Sequence, residues 1–168
     1  MTPGYIVEVA KSYLGQEEKS GNKGYKDPVF EAKMKAVGWQ INHSWCCYFT
    51  ELVAKEAFGK DSAQWKAFDK LFQPSCTATY ANFSGSSMFK VGKVARVGAL
   101  AVWRHGTGWK GHIGVVESVD GNFMYTIEGN TNAAGSREGT AVLRKRRSNW
   151  VSKINSAGLN LIGFIYLC

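Results

Sequence analysis

Cys46, His112 and Glu128 are the residues of this chain whose types and settings suit covalent chemistry. Cys46 stands in Trp45-Cys46-Cys47-Tyr48-Phe49, which opens a helix-like apolar run, and His112 in Gly111-His112-Ile113-Gly114, where a strand-like run begins. Glu128 lies in Ile127-Glu128-Gly129-Asn130, which closes the next strand. A thiolate is the competent nucleophile, and a free thiol with a pKa of about 8.5 is only partly ionised at neutral pH. A helix start favours the anion through its unsatisfied N–H groups and the positive end of its dipole; with Ser44 read as the cap, Cys46 falls in that first turn. An imidazole at His112 would lower the thiol pKa further and hand a proton to a leaving amine. Glu128 could accept from the other ring nitrogen, and Asn130 could do the same, as an amide does in some thiol proteases. Backbone N–H groups at the helix start, that of Cys46 included, would hold a developing oxyanion. The chemistry is hydrolysis of an amide through a thioester.

The elements that must carry these groups read as helices first and strands after. Thr2-Pro3 is a cap followed by proline, and Tyr5, Ile6, Val9, Ala10, Tyr13 and Leu14 keep helical spacing up to Gly15. Asp27-Pro28 repeats the device ahead of Phe30, Met34 and Val37, with Gly38 as the stop. The third helix is expected from near Ser44 to Gly59. A fourth, capped by Asp61, carries Trp65, Phe68, Leu71 and Phe72, and Thr77 to Phe83 reads as a short helical turn. Strand character covers Ala99 to Trp103, His112 to Val119, Phe123 to Glu128, Ala141 to Arg147 and Leu161 to Leu167. The turn Asp120-Gly121-Asn122 makes the middle pair a hairpin. Helices followed by an antiparallel sheet define an α+β domain, expected to be a single unit over residues 1–168.

Composition narrows the function classes. Of 168 residues, 45% are hydrophobic and 20% charged, a globular balance. The formal net charge of +8 favours anionic partners. The densest basic run, Arg144-Lys145-Arg146-Arg147, falls in a strand and reads as a solvated face, and without a helix-turn-helix, finger or aromatic-basic sheet signature no nucleic-acid partner is expected. Four cysteines without a CxxC pair suggest neither a disulfide scaffold nor zinc. Cys47, about 100° around the helix from Cys46, reads as a core thiol, Cys76 falls in a loop region, and a Cys76–Cys168 bridge is left open. No secretory signal is visible and the longest apolar stretch is too short to insert in a membrane. The expectation is a soluble protein carried to its place of action by something else. His43 and His105 read as loop histidines, and Trp103 as either sheet packing or groove wall.

In the order of its motifs the chain resembles the CHAP family of cysteine-dependent amidohydrolases and peptidases, within the NlpC/P60-like, papain-related group. The resemblance rests on Trp45-Cys46-x-x-Phe49, Val97 to Trp103, Gly111 to Val116, Thr126 to Thr131 and Gly163-Phe164-Ile165. The opening Gly15-x-x-Glu18-x-x-Gly21-Asn22 is similar to that of phage-type and secreted members. It implies a papain-like fold, N-terminal helices packed on a C-terminal antiparallel sheet. It also implies cleavage of an amide bond in peptidoglycan, with Cys46 as nucleophile, His112 as base and Glu128 as orienting residue, Asn130 contributing. Trp45, Trp109, Glu18 and Asn22 are the expected substrate contacts. Gly38 to Ser44 lacks the acidic residues of calcium-binding members, so no metal and no cofactor is expected. Trp45 replaces the Gln that precedes the nucleophile in many relatives, leaving Gln40, Asn42 and Tyr25 as candidates for a side-chain oxyanion donor. Expected partners are the cell-wall polymer together with a delivery system or an immunity protein. A catalytically silent wall-binding module, and a thiol amidase acting on a non-wall peptide, are the alternatives.

Overall fold

Two cap-and-proline pairs start the first two helices as their residue types require. The structure, a computed structural model, describes residues 1–131 and 139–168. In α1 (Pro3–Lys11) the Thr2 side chain accepts from the Tyr5 N–H, and in α2 (Pro28–Lys35) Asp27 accepts from that of Val29. Helix α3 (Cys46–Phe58) follows, then α4 (Ala63–Leu71) and α5 (Cys76–Ser84). Three details depart from the sequence reading. Helix α1 ends in turns before Leu14, Ser62 rather than Asp61 caps α4, and the expected turn after Thr77 is a nine-residue helix beginning at Cys76, with Ser75 as its cap.

The sheet holds β1 (Lys90–Gly92), β2 (Leu100–His105), β3 (Gly111–Asp120), β4 (Phe123–Thr131), β5 (Ala141–Ser148) and β6 (Leu159–Tyr166), in the spatial order β1-β6-β2-β3-β4-β5. Every neighbouring pair is antiparallel. The short edge strand β1 is not evident in the sequence. β3 and β4 form the expected hairpin, with Asp120 opposite Phe123 across a two-residue turn. The outer edge of β5 is covered by the segment after α1: Gly15 N–H donates to Val142, Val142 N–H to Gln16 and Glu18 N–H to Thr140. Its unpaired backbone groups are thereby used within the chain.

Alternation along the strands divides the interior. Leu100, Val102, Ile113, Val115 and Ile127 face the helices, whereas Ala101, Trp103, Val116, Met124 and Phe164 form a smaller cluster on the other face. Helix α3 is the centre of the larger core. Cys46 to Ala54 are all buried, so this helix is apolar around most of its circumference. Each buried Leu, Val or Phe there contributes about 1.5–3 kcal/mol by leaving water. Strand β4 crosses the start of α3 so closely that a Cβ at Gly129 would sit 2.7 Å from both the Phe49 Cβ and the Trp45 ring. Gly129→Ala should therefore destabilise the protein by about 1–3 kcal/mol, measurable as a lower midpoint in urea. An unchanged midpoint would show that α3 and β4 can separate without loss.

Candidate active site

Cys46 is the first residue of α3. The preceding cap position is held by Trp45, not Ser44, and no side chain caps this helix end. The first-turn N–H groups around the thiol are thus not taken up by a cap and can serve an oxyanion. Trp45 fixes the backbone there: its Nε1–H donates to Glu18 Oε2 at 2.6 Å, and its ring meets Tyr25 and Phe30 edge-on.

His112 is the second residue of β3, paired across the strands with Trp103, whose ring centroid is 5.8 Å away. Its Nε2–H donates to Glu128 Oε2 at 2.8 Å, which leaves Nδ1 as the ring nitrogen available to the Cys46 thiol. Glu128 is fully buried and needs more than one partner. Arg147 on β5 supplies the rest, Nε to Oε1 at 2.8 Å and an Nη to Oε2 at 2.6 Å, and Thr126 Oγ1 also donates to Oε1. The fork matches the carboxylate bidentately. Space for this carboxylate exists because position 114 is glycine, where a Cβ would lie 2.6 Å from Glu128 Cγ.

The charges of these groups are mutually dependent. Hydrogen bonds from the Cys47 and Cys76 thiols, together with the imidazole of His112, outweigh burial and hold the Cys46 thiol well below its usual range. Burial pushes the Cys47 thiol up. Burial would lower His112, but the Glu128 charge and the Cys46 sulfur overcome it and raise the imidazole to about 9. Glu128 is held at about 2: burial acts upward, and the Arg147 fork with the His112 charge acts downward more strongly. These directions all favour a thiolate–imidazolium pair over a carboxylate.

These groups open into a pocket of about 350 Å³, whose wall includes Ser44, Cys46, Cys76, Trp109, His112, Asn130 and Arg147. Glu128, rather than Asn130, is the residue that meets His112. Asn130, at φ 53°, instead lines the pocket, and its buried Oδ1 has no partner among the described residues. Of the four expected substrate contacts only Trp109 lies on this wall, 71% exposed. Trp45, at 0% exposure, has no surface to offer a ligand, and Glu18 is occupied in holding it. Asn22 braces the loop before α3, its carbonyl accepting from the Asn42 N–H at 2.8 Å. Among the proposed oxyanion donors Asn42 lines the pocket, Gln40 is exposed elsewhere and Tyr25 is buried among aromatic rings. His43 and His105, read as loop histidines, are on the pocket wall.

Two contributors escaped the sequence reading. Arg147 belongs to a basic run read as solvated; Arg144 instead forks onto Glu117, Arg146 stacks on Phe123, and Arg147 turns inward. Alternation along β5 was the available signal, since Arg147 and Arg144 must face opposite sides. Cys76 is buried beside Cys46 and Cys47 and apart from the exposed Cys168, and all four thiols are free, which rules out a Cys76–Cys168 bridge in this structure. No helix among the described residues is long and apolar enough to cross a membrane.

The chain is an α+β fold with a cysteine at a helix start and a histidine on a neighbouring strand. The CHAP domain family model matches residues 37–130, more than half of the chain, and the protein belongs to that family. Among solved structures the fold is similar to crystal structures of Ly7917. One, at 14% identity and TM-score 0.56, is of Ly7917 itself; another, at 13% and 0.55, is of Ly7917 with the hydrolyzing product of MDP. In each case 98% of this chain is covered, but the chain spans only 62% of the matched one. No curated protein sequence matches.

The pKa shifts carry a stability signature. His112 is raised, so its contribution is complete below about pH 6.5, the unfolded value, and disappears as pH rises through about 9. Glu128 is depressed, so its contribution is present above about pH 4.3 and is lost as pH falls toward about 2. Thermal midpoints recorded across pH should decline in both windows. Arg147→Ala should cost about 3 kcal/mol by leaving one side of a buried carboxylate unpaired; a midpoint unmoved by that change would mean that the fork contributes nothing.

Proposed function

We propose that the protein is a peptidoglycan hydrolase that cleaves an amide bond of the peptide stem or crossbridge, or the link between glycan and peptide. The observation that carries this reading is the contiguous chain of contacts from the Cys46 thiol through His112 and Glu128 to Arg147, opening on a substrate-sized pocket. Family membership supports the reaction class. The similarity to a structure of Ly7917 with the hydrolyzing product of MDP, a peptidoglycan fragment, supports the substrate class.

In the mechanism, the Cys46 thiolate attacks the amide carbonyl while first-turn N–H groups of α3 receive the oxyanion. The imidazolium Nδ1–H protonates the departing amine, and the bond between carbonyl carbon and nitrogen breaks to leave a thioester. His112, now neutral, takes a proton from water as it attacks, and the thiolate is regenerated. Glu128 holds the imidazole in one orientation throughout, and Arg147 holds Glu128. Asn130 lines the pocket, and its buried Oδ1, without a partner among the described residues, is the acceptor we assign to a substrate N–H. Trp109 offers a ring face on the rim, and the net charge of +8 favours approach to an anionic wall. Action on the wall requires the protein to reach it, by phage-induced lysis or by a delivery machine, and a protective inhibitor would then be a natural partner.

Purified sacculi of several stem types treated with wild type should release soluble fragments whose masses name the bond, and Cys46→Ala should release none. Failure of wild type on every wall would favour a binding module or a non-wall amide. Residual activity in Cys46→Ala would remove the proposed nucleophile, since Cys47 is fully buried behind it. Glu128→Gln should lower kcat by about 100-fold or more, and Asn130→Ala should act mainly through KM. Because the active form is the ion pair, activity should persist below pH 7 and fall as pH rises through about 9. A profile that instead climbs through that range would show that a neutral imidazole acts as the base in the first step.

A further inference from the structure

The described part of the chain buries three thiols at one point, and the mechanism above uses only one of them as a nucleophile. Cys46 and Cys47 are the first two residues of α3, and Cys76 is the first residue of α5. The Cys46 and Cys76 sulfurs are 3.5 Å apart and those of Cys47 and Cys76 2.8 Å, and all three lie within 4.8 Å of one another. The starts of two helices therefore converge on the sulfurs, and both dipoles favour negative charge there.

We propose that Cys46, Cys47 and Cys76 form a three-sulfur binding site for a thiophilic divalent cation of the zinc type, its fourth position open to a ligand from the pocket, and that an occupied site withholds the nucleophile. Such an ion takes thiolate ligands in tetrahedral geometry, and a site with three protein ligands keeps the fourth position for water or another small ligand. With a metal–sulfur bond of about 2.3 Å, tetrahedral sulfurs stand about 3.8 Å apart. The observed triangle needs the Cys47 and Cys76 sulfurs to part by about 1 Å, within the reach of side-chain rotation. Access is through the pocket, whose wall includes Cys46, Cys76 and His112. Soft thiolate ligands select zinc or cadmium over calcium or magnesium. The spacing of the cysteines conceals this site, because Cys76 comes from a different helix, 29 residues beyond Cys47.

The silencing effect rests on the proposed hydrolase function; the binding site does not. The test is titration of the reduced, chelator-treated protein with Cd2+, followed by its thiolate charge-transfer absorption, with competition by Zn2+. The expected result is one ion per chain with an absorption amplitude of three thiolates. Second-shell changes alone cost about 10–100-fold in metal affinity, so Cys76→Ser and Cys47→Ser should each weaken binding by at least about 100-fold. Cys168→Ser should leave affinity unchanged. X-ray absorption of the zinc-loaded wild type, which needs no variant to fold, should show three sulfur neighbours. Oxygen-dominated ligation, binding unchanged in Cys76→Ser, or loss of binding in Cys168→Ser would overturn the site. So would a Cys47–Cys76 disulfide in the protein before reduction that persists under mild reductant. If wall digestion is observed, stoichiometric Zn2+ should stop it and a chelator restore it; digestion unaffected by a bound ion would overturn the silencing. A protein that binds the ion but digests no wall would retain the site and sink only the hydrolase reading.

Discussion

The buried carboxylate of Glu128 is the constraint around which the site is assembled. An ionised carboxyl with no exposure is costly unless its lone pairs are fully used. Here an arginine fork, a threonine hydroxyl and an imidazole use them, drawn from β5, β4 and β3. Three adjacent strands must therefore be in register for the charge to be tolerated. The residue beside it on β3 is a glycine because the carboxylate's own side chain occupies the space. Satisfying that one charge fixes the orientation of His112, and the orientation of His112 decides which ring nitrogen is available to the thiol.

The Cys46 thiol is held from the opposite direction by apolar packing. Helix α3 is buried along most of its length, and its start is clamped between the aromatic group of Tyr25, Phe30 and Trp45 and the backbone of β4 at Gly129. A close-packed core is hardly compressible and transmits strain, so the thiol cannot drift from the imidazole without moving the centre of the fold. Electrostatics sets the protonation states and packing sets the distance between the groups. Neither alone would give a thiolate facing a charged histidine in a pocket open to solvent.

The fold was legible where local chemistry dictates it. Thr2-Pro3 and Asp27-Pro28 start helices because a side-chain acceptor and a fixed φ suffice, and Gly121-Asn122 turns the hairpin for similarly local reasons. The α+β architecture and the family followed from the order of such elements. What stayed hidden depends on contacts distant in sequence. Helix α5 has little apolar periodicity to announce it, and β1 is three residues long, defined by its partner β6. Trp45 was read as a substrate contact, but its partner is Glu18, 27 residues earlier. Arg147 was hidden within a run of like charges, since alternation separates two faces without saying which one carries the site. Cys76 looked like a loop residue because the expected helical turn began one residue later, at Thr77.

The link from Glu18 to Trp45 bears on where this enzyme could be cut or grafted. The family match begins at residue 37, yet the tryptophan that shapes the start of α3 hangs from a carboxylate well before that point. The segment carrying Glu18 is stitched in turn to the free side of β5, the strand that supplies Arg147. A chimera that joins a foreign leader at the start of the family match would lose both supports, one under the thiol and one beside the carboxylate. The smallest transplantable unit therefore includes the residues from Gly15 onward, and these opening residues are part of the reaction centre's scaffold.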